Sequence, residues 1–255
     1  MKLLRFRDKK KEEKVGWLMD DRIGLIGGDL FGEYRRLEAD IAITSVQLLE
    51  PVQPSKIICI GRNYVEHARE QNTEVPDVPM IFLKPVSAML PQNGKILIPP
   101  QSQQVEHEAE LVAVIGKRGR WIPAEEAEKY ILGYTIGNDV TARDLQRRDG
   151  QWTRGKGFDS FCPVGPWIET DLDPADVLIT CKVNSELRQM ASTKEMVFTI
   201  PQLVAFISSV MTLEPGDLIF TGTPAGVGAL VDGDRVEVTI EGIGTLVNQV
   251  GLETH

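Results

Sequence analysis

The stretch VEHEAELVAVIG, residues 105–116, sets Glu106, Glu108 and Glu110 at alternate positions directly ahead of an apolar tail. In an extended strand, residues two apart share a face and lie about 7 Å from one another, so three carboxylates would crowd one side. Crowded like charges resist ionisation unless a cation sits among them, and oxygen-only ligands suit Mg²⁺, Mn²⁺ or Ca²⁺ rather than zinc. A solvated acidic strand face is the competing reading. The LVAVI that follows weighs against it, being apolar on both faces as in a strand covered on each side. Asp139, at the end of the strand-like run YTIGNDV, could supply a carboxylate from a second strand, although an aspartate there also suits a turn or a cap.

Three histidines are present, His67, His107 and His255. His67 lies in NYVEHARE with Glu70 three residues later, on the same helical face and within side-chain reach. Such a glutamate can orient the imidazole and stabilise its protonated form, making His67 a general base for water. A surface helix with incidental charges would carry the same residues. Lys156, in TRGKGFDSFCP, is flanked by glycines that let backbone approach a ligand, and its ammonium could stabilise a developing enolate or oxyanion. A solvated loop lysine is the plain alternative. In DLIFTGTPAGVG a strand runs into a glycine-rich loop without the features of a P-loop or a dinucleotide fingerprint, so nucleotide binding is not expected. Its backbone N–H groups, with Thr223, could receive a carboxylate or simply form a turn.

These side chains need elements to hold them. Residues 1–53 alternate short β-like runs with turns, KLLRF, VGWLM, RIGLIGG and AITSVQLL, and read as a small β-rich N-terminal domain. The segment PVQPSK reads as the junction to a second domain spanning 54–255. There KIICIG reads as a strand leading into a short helix at RNYVEHAREQ, and NTEVPDVP as an exposed, turn-rich segment. Downstream, MIFLK, KILIPP, AELVAVIG, YTIGNDV, VLITCKVN, DLIFTG and RVEVTIEGIGTLVNQV read as strands. Two helices interrupt them: PAEEAEKY, with Pro123 in its first turn, and IPQLVAFISSVM, with a broad apolar face. The predicted class is α+β and strand-rich, with sheets curled around a core and no internal repeat.

Composition narrows the partners. With 42% apolar and 25% charged residues and no apolar stretch near 18 residues, no transmembrane helix is expected. A net charge of −9 argues against nucleic acid or an anionic membrane as partner and weakly favours cations. The opening MKLLRFRDKKKEEK lacks the apolar core of a signal peptide, so a cytoplasmic location is expected. Cys59, Cys162 and Cys181 fall in no metal-ligand spacing and are expected to be reduced, packed thiols.

Taken in order, CIGRNYVEHARE, FLKP, HEAEL, NDVTARDLQ, KGFDSFCP, KVNSELRQ and FTGTPAGVG resemble the fumarylacetoacetate hydrolase family over roughly residues 55–250. The resemblance implies a mixed β-roll fold, a Mg²⁺ or Mn²⁺ site and a homodimer. Matched residue by residue, it implies metal carboxylates at Glu108, Glu110 and Asp139, and a histidine–glutamate pair on a lid at His67 and Glu70. It implies an active-site lysine at Lys156, with substrate contacts at Arg62, Arg143, Gln146 and Thr223. Many relatives carry histidine where this chain has Glu106, so Glu106 stays outside the ligand set with at most an indirect effect.

The same resemblance implies a small 2-oxo or 1,3-diketo acid substrate. A metal that polarises a carbonyl and stabilises an enolate serves three reactions. The first expectation is hydrolysis of an acylpyruvate to pyruvate and a carboxylic acid, with His67 activating water. Oxaloacetate decarboxylation and isomerisation of a 2-hydroxy-diene dioate are the alternatives. From another class, a non-catalytic metal-containing binding protein would share the fold, and the intact set of His67, Glu70, Lys156 and carboxylates argues against it.

Overall fold

The computed structural model describes residues 1–254, so His255 lies outside the described residues. The strand Ala109–Ile115 is buried along its whole length because its two faces feed two different cores. Leu111, Ala113 and Ile115 join one cluster with Ile136, Ile179, Leu203 and Val236. Val112 and Val114 join another with Leu3, Ile57, Leu218 and Phe220. Each such side chain contributes about 1.5–3 kcal/mol of burial, which is why this segment is continuously apolar rather than alternating.

Around that strand a twelve-stranded sheet is built. Ala109–Ile115 pairs antiparallel with Ile131–Asn138 on one side and with Leu218–Phe220 on the other. Leu218–Phe220 runs parallel to Ile57–Gly61, and Met80–Lys84 closes that end. At the other end the strands Lys2–Arg7, Glu13–Met19, Arg22–Gly28 and Tyr34–Ala42 form an antiparallel meander. Lys2 pairs with Glu169 and Leu3 with Ile168, so the N-terminal strands continue the large sheet through Cys162–Glu169. A five-stranded sheet, running from Glu186–Ser192 through Leu178–Val183, Arg235–Ile240 and Gly244–Leu252 to Lys95–Ile98, shares the first core cluster. The helix Ile200–Val210 covers that core with Ile200, Leu203, Val204 and Ile207, and Gln202 Oε1 accepts from the Thr199 N–H at 2.9 Å to close its first turn.

The strand-rich α+β class matches the observed architecture, with local departures. AITSVQLL is not one strand: Ala42 ends Tyr34–Ala42, and a 3₁₀ turn at Ile43–Ser45 precedes the short pair Gln47–Leu48. YRRLEADIA escapes an apolar pattern search because most of its side chains face solvent. PAEEAEKY forms a 3₁₀ helix at Ala124–Tyr130, with Pro123 at its N-cap rather than in its first turn. Only Ala127 of that segment is buried, so no apolar stripe is present to favour a full α-helix. The strand Cys162–Glu169 was hidden by Pro163 and Pro166, residues that ordinarily argue against a central strand.

Candidate active site

The acidic run does not form one strand. Val105–His107 pairs with Thr141–Ala142 and Gly228–Ala229 in a separate small sheet, Ala109–Ile115 belongs to the large one, and Glu108 stands at the break. The three glutamates do not gather at one point. Glu106 turns to Arg143, whose Nε donates to its Oε2 at 2.7 Å. Glu108, Glu110 and Asp139 converge instead, each offering an oxygen within 4.8 Å of the others, and all three are buried. Pairing creates this meeting point: Ala109 lies opposite Asn138, and the Asp139 N–H donates to the Glu108 carbonyl at 2.8 Å.

Three cations answer the acids. Lys84 Nζ donates to Asp139 Oδ1 at 2.6 Å and to the Val140 carbonyl at 3.1 Å. Lys156 Nζ donates to Asp139 Oδ2 at 2.7 Å and to Glu108 Oε2 at 2.9 Å. Arg143 also pairs with Glu108, and its Nη1 donates to Gln146 Oε1 at 2.6 Å. Burial pushes the Glu108 carboxyl up, but Lys156 and Arg143 outweigh it and hold the group well below the usual carboxylate range. Glu110 goes the other way. Burial, with Asp139 and Glu108 beside it, pushes its carboxyl well up, opposed by Lys156 and by the Gly222 N–H at 2.7 Å.

Four carboxylates, including Glu106, thus meet three protein cations, and the uncompensated one is Glu110. An all-oxygen donor set, buried and short of positive charge, fits a hard divalent cation held by Glu108, Glu110 and Asp139.

Lys156 is not a loop residue but the last residue of the short helix Thr153–Lys156, and it is buried. The adjoining Gly155 serves helix packing rather than ligand approach, since a Cβ there would lie 2.8 Å from the Gln146 backbone nitrogen on the helix Arg143–Asp149. Phe82 lies under the ammonium, with 5.0 Å from Lys156 Nζ to its ring centre.

A cavity of roughly 280 Å³ opens beside the carboxylates, lined by Arg62, His67, Arg143, Gln146, Lys156 and Thr223 together with Glu108 and Asp139. His67, on the helix Val65–Glu70, is buried with Nδ1 3.3 Å from Glu70 Oε2. Glu70 also accepts from the Gly226 N–H, at 3.1 and 3.2 Å to its two oxygens. Burial raises the Glu70 carboxyl, while His67 and that N–H bring it below its ordinary value. Arg62 takes a left-handed backbone conformation, φ 61°, and among the described residues forms no ion pair. Thr223 is already engaged: its hydroxyl donates to the Ala109 carbonyl at 2.9 Å and accepts from Gln189 Nε2 at 2.7 Å. The carboxylate received by the glycine-rich loop is that of Glu110, through Gly222.

Two contributors were missed in the sequence. Lys84 ends the apolar run MIFLK and is the one buried residue of that strand; a lysine closing an apolar run was itself the signal, because a buried charge needs a partner. Gln189, on the strand Glu186–Ser192, carried no signal of its own. The three cysteines are buried and unbonded, as expected. Among the described residues no helix is long and apolar enough to cross a membrane.

Residues 56–251 match the family described as fumarylacetoacetate (FAA) hydrolase C-terminal. The chain belongs to the fumarylacetoacetate hydrolase family. Residues 1–51 match the family described as Rv2993c-like, N-terminal. Among relatives of this fumarylacetoacetate hydrolase family chain, the mitochondrial oxaloacetate tautomerase FAHD2B of Bos taurus is 45% identical over 220 residues, 81% of this chain and 70% of that one. The crystal structure of 2-hydroxyhepta-2,4-diene-1,7-dioate isomerase from Mycobacterium marinum superposes with a TM-score of 0.93 at 43% identity, covering 100% of both chains. Fumarylpyruvate hydrolase from Pseudomonas aeruginosa, in complex with Mn²⁺ and pyruvate, gives 0.75 at 38% identity, covering 81% of this chain and 92% of that one. Family members thus include a hydrolase, an isomerase and a tautomerase, all enzymes.

Proposed function

We propose that this protein is a divalent-metal-dependent enzyme that moves a proton on a small 2-oxo dioate, with the keto–enol tautomerisation of oxaloacetate as its foremost reaction. One observation carries the reading: a single cavity brings Glu108 and Asp139, two members of an oxygen-donor triad lacking one positive charge, together with a buried imidazole held by a carboxylate. The choice among reactions leans on relatives: the tautomerase at 45% identity and the isomerase matched over the whole chain both carry out proton movements without net addition of water.

Mg²⁺ or Mn²⁺ on Glu108, Glu110 and Asp139 would draw electron density from a substrate carbonyl and acidify the adjacent carbon. With Nδ1 directed at Glu70, His67 keeps Nε2 for taking the proton from carbon and returning it. Glu70, held by the Gly226 N–H, stabilises the imidazolium while it exists. Lys156 supplies a fixed ammonium where negative charge develops on oxygen. Arg143 gives three of its five N–H donors to Glu106, Glu108 and Gln146, so it orders the site, with Gln146, more than it grips substrate. The unpaired Arg62 is the candidate partner for a distal carboxylate, and Thr223 has only an acceptor position to spare.

Hydrolysis of an acylpyruvate is the second reading, favoured by the His67–Glu70 pair, which would equally activate water. A Mg²⁺- or Mn²⁺-loaded sample is to be given enol-oxaloacetate, oxaloacetate, acylpyruvates and diene dioates, with every product identified. Enol consumption no faster than background, alongside release of pyruvate and a carboxylic acid, would replace the first reading with the second. The homodimer and the cytoplasmic location belong to the same proposal; sedimentation of the purified protein tests the former.

A further inference from the structure

Gln189 does not line the cavity, yet it bonds to Thr223, which does, and to Ala109, between Glu108 and Glu110. It is fully buried on Glu186–Ser192. Its Nε2 donates to Thr223 Oγ1 at 2.7 Å and to the Pro224 carbonyl at 2.8 Å. Its Oε1 accepts from the Ala109 N–H at 3.1 Å and from His107 Nδ1 at 2.9 Å. A side-chain amide has two donor hydrogens and two acceptor lone pairs, so every position is used. The orientation is forced, because the Pro224 carbonyl can only accept and the Ala109 N–H can only donate.

The positions of these partners give the amide its meaning. Ala109 stands between Glu108 and Glu110, with its N–H held by Gln189 and its carbonyl held by Thr223, which Gln189 also holds. One residue before Thr223, the Gly222 N–H secures Glu110; two residues after Pro224, the Gly226 N–H secures Glu70. Gly226 has no slack: its φ is +98°, and a Cβ there would lie 2.1 Å from the carbonyl oxygen of Arg188, the neighbour of Gln189.

We propose that Gln189 is a positioning residue that fixes the spacing between the carboxylate triad and the His67–Glu70 pair, so that cation affinity and proton transfer are set together. The catalytic half rests on the function proposed above; the mechanical half concerns only the protein's own backbone. A glutamine that merely fills the core would stabilise the fold without linking the two ends of the loop.

The test uses the full chain and Mg²⁺ alone as probe. Gln189→Met keeps the volume and removes all four hydrogen bonds. Ile179→Val, a buried position on the adjacent strand Leu178–Val183, serves as a purely structural control. Losing a direct partner of a metal ligand costs about 10–100-fold in affinity, and Gln189 acts one residue further out, through Ala109 and Thr223, so about tenfold is the expectation. Calorimetry is expected to give a loss of that size for Gln189→Met, with faster amide exchange at Gly226 and across Val65–Glu70, while Ile179→Val changes neither. In the unmodified protein, Mg²⁺ is expected to slow exchange at Gly226 and along that helix, a measurement that stands even if Gln189→Met does not fold. Wild-type Mg²⁺ affinity and exchange in folded Gln189→Met, equal changes in Ile179→Val, or no effect of Mg²⁺ on the helix would each overturn the proposal. Inactivity of the unmodified protein on every 2-oxo acid, with the exchange linkage intact, would sink the functional reading and leave the linkage standing.

Discussion

Glu106 and Glu110 are alike in type and strand spacing, yet the fold gives them opposite situations. Arg143 neutralises Glu106, whereas Glu110 is left with a single backbone donor and two acidic neighbours. Because burial, Asp139 and Glu108 push the Glu110 carboxyl well up, protons and a cation compete for it. Mg²⁺ binding is therefore expected to release a proton and to tighten as pH rises; calorimetry in buffers of different ionisation enthalpy reads this directly, and absence of proton release would count against it. Glu108→Gln removes the charge of a proposed ligand and is expected to cost more Mg²⁺ affinity than the about 10–100-fold that follows loss of a ligand's partner. His67→Gln is expected to lower kcat by about 10²–10⁴-fold while leaving Mg²⁺ affinity near wild type, a split that steady-state kinetics and calorimetry resolve together. Arg143→Met leaves two buried carboxylates without their guanidinium and is expected to destabilise by about 3–5 kcal/mol in urea unfolding at neutral pH. Residue types and spacing marked the acidic run and Asp139; the set Glu108, Glu110 and Asp139, with Glu106 set apart, came with the family resemblance, because the Arg143 that takes up Glu106 lies far along the chain.

At the scale of elements, the site depends on short pieces braced against long ones. The helix Val65–Glu70 has only His67 and Ala68 buried, so little of its stability is its own, and Glu70 ties it to Gly226. Gly226→Ala puts a Cβ against backbone at a positive φ and is expected to destabilise by more than about 1 kcal/mol, with increased exchange along that helix. Strands with strong apolar character, Ile57–Gly61, Ala109–Ile115 and Leu218–Phe220, were readable because their burial is written in their composition. Tyr34–Ala42 and Glu186–Ser192 were not, since exposed strands carry little apolar signal. The helix bearing Lys156 was masked by its glycine, which reads as a loop until the facing helix Arg143–Asp149 is known.

For the whole molecule, the proposed division at 53/54 meets a sheet that runs through it. Lys2–Arg7 pairs with Cys162–Glu169, and Leu3 belongs to the same core as Val112 and Phe220. Deleting residues 1–53 would open the edge of Cys162–Glu169 and unfill that core, so the remaining chain is expected to aggregate or to lose its near-UV circular dichroism. A monodisperse, natively packed truncation product would instead make the two parts independent folding units. The large sheet could not be assembled from sequence, because pairings such as Leu3 with Ile168 join residues far apart in the chain.

The strand Ala109–Ile115, packed on both sides, also bears on how such a protein diversifies. Of the acidic triad, Glu110 sits in that strand, Glu108 just before it and Asp139 just after its neighbour Ile131–Asn138, while Arg62, Gln71, Thr73 and Trp152 meet the cavity from loops and short helical margins. Substitutions at that margin can reshape what enters without disturbing what reacts. A lineage built this way can keep one acidic triad and vary the margin around it, in line with relatives that include a hydrolase, an isomerase and a tautomerase.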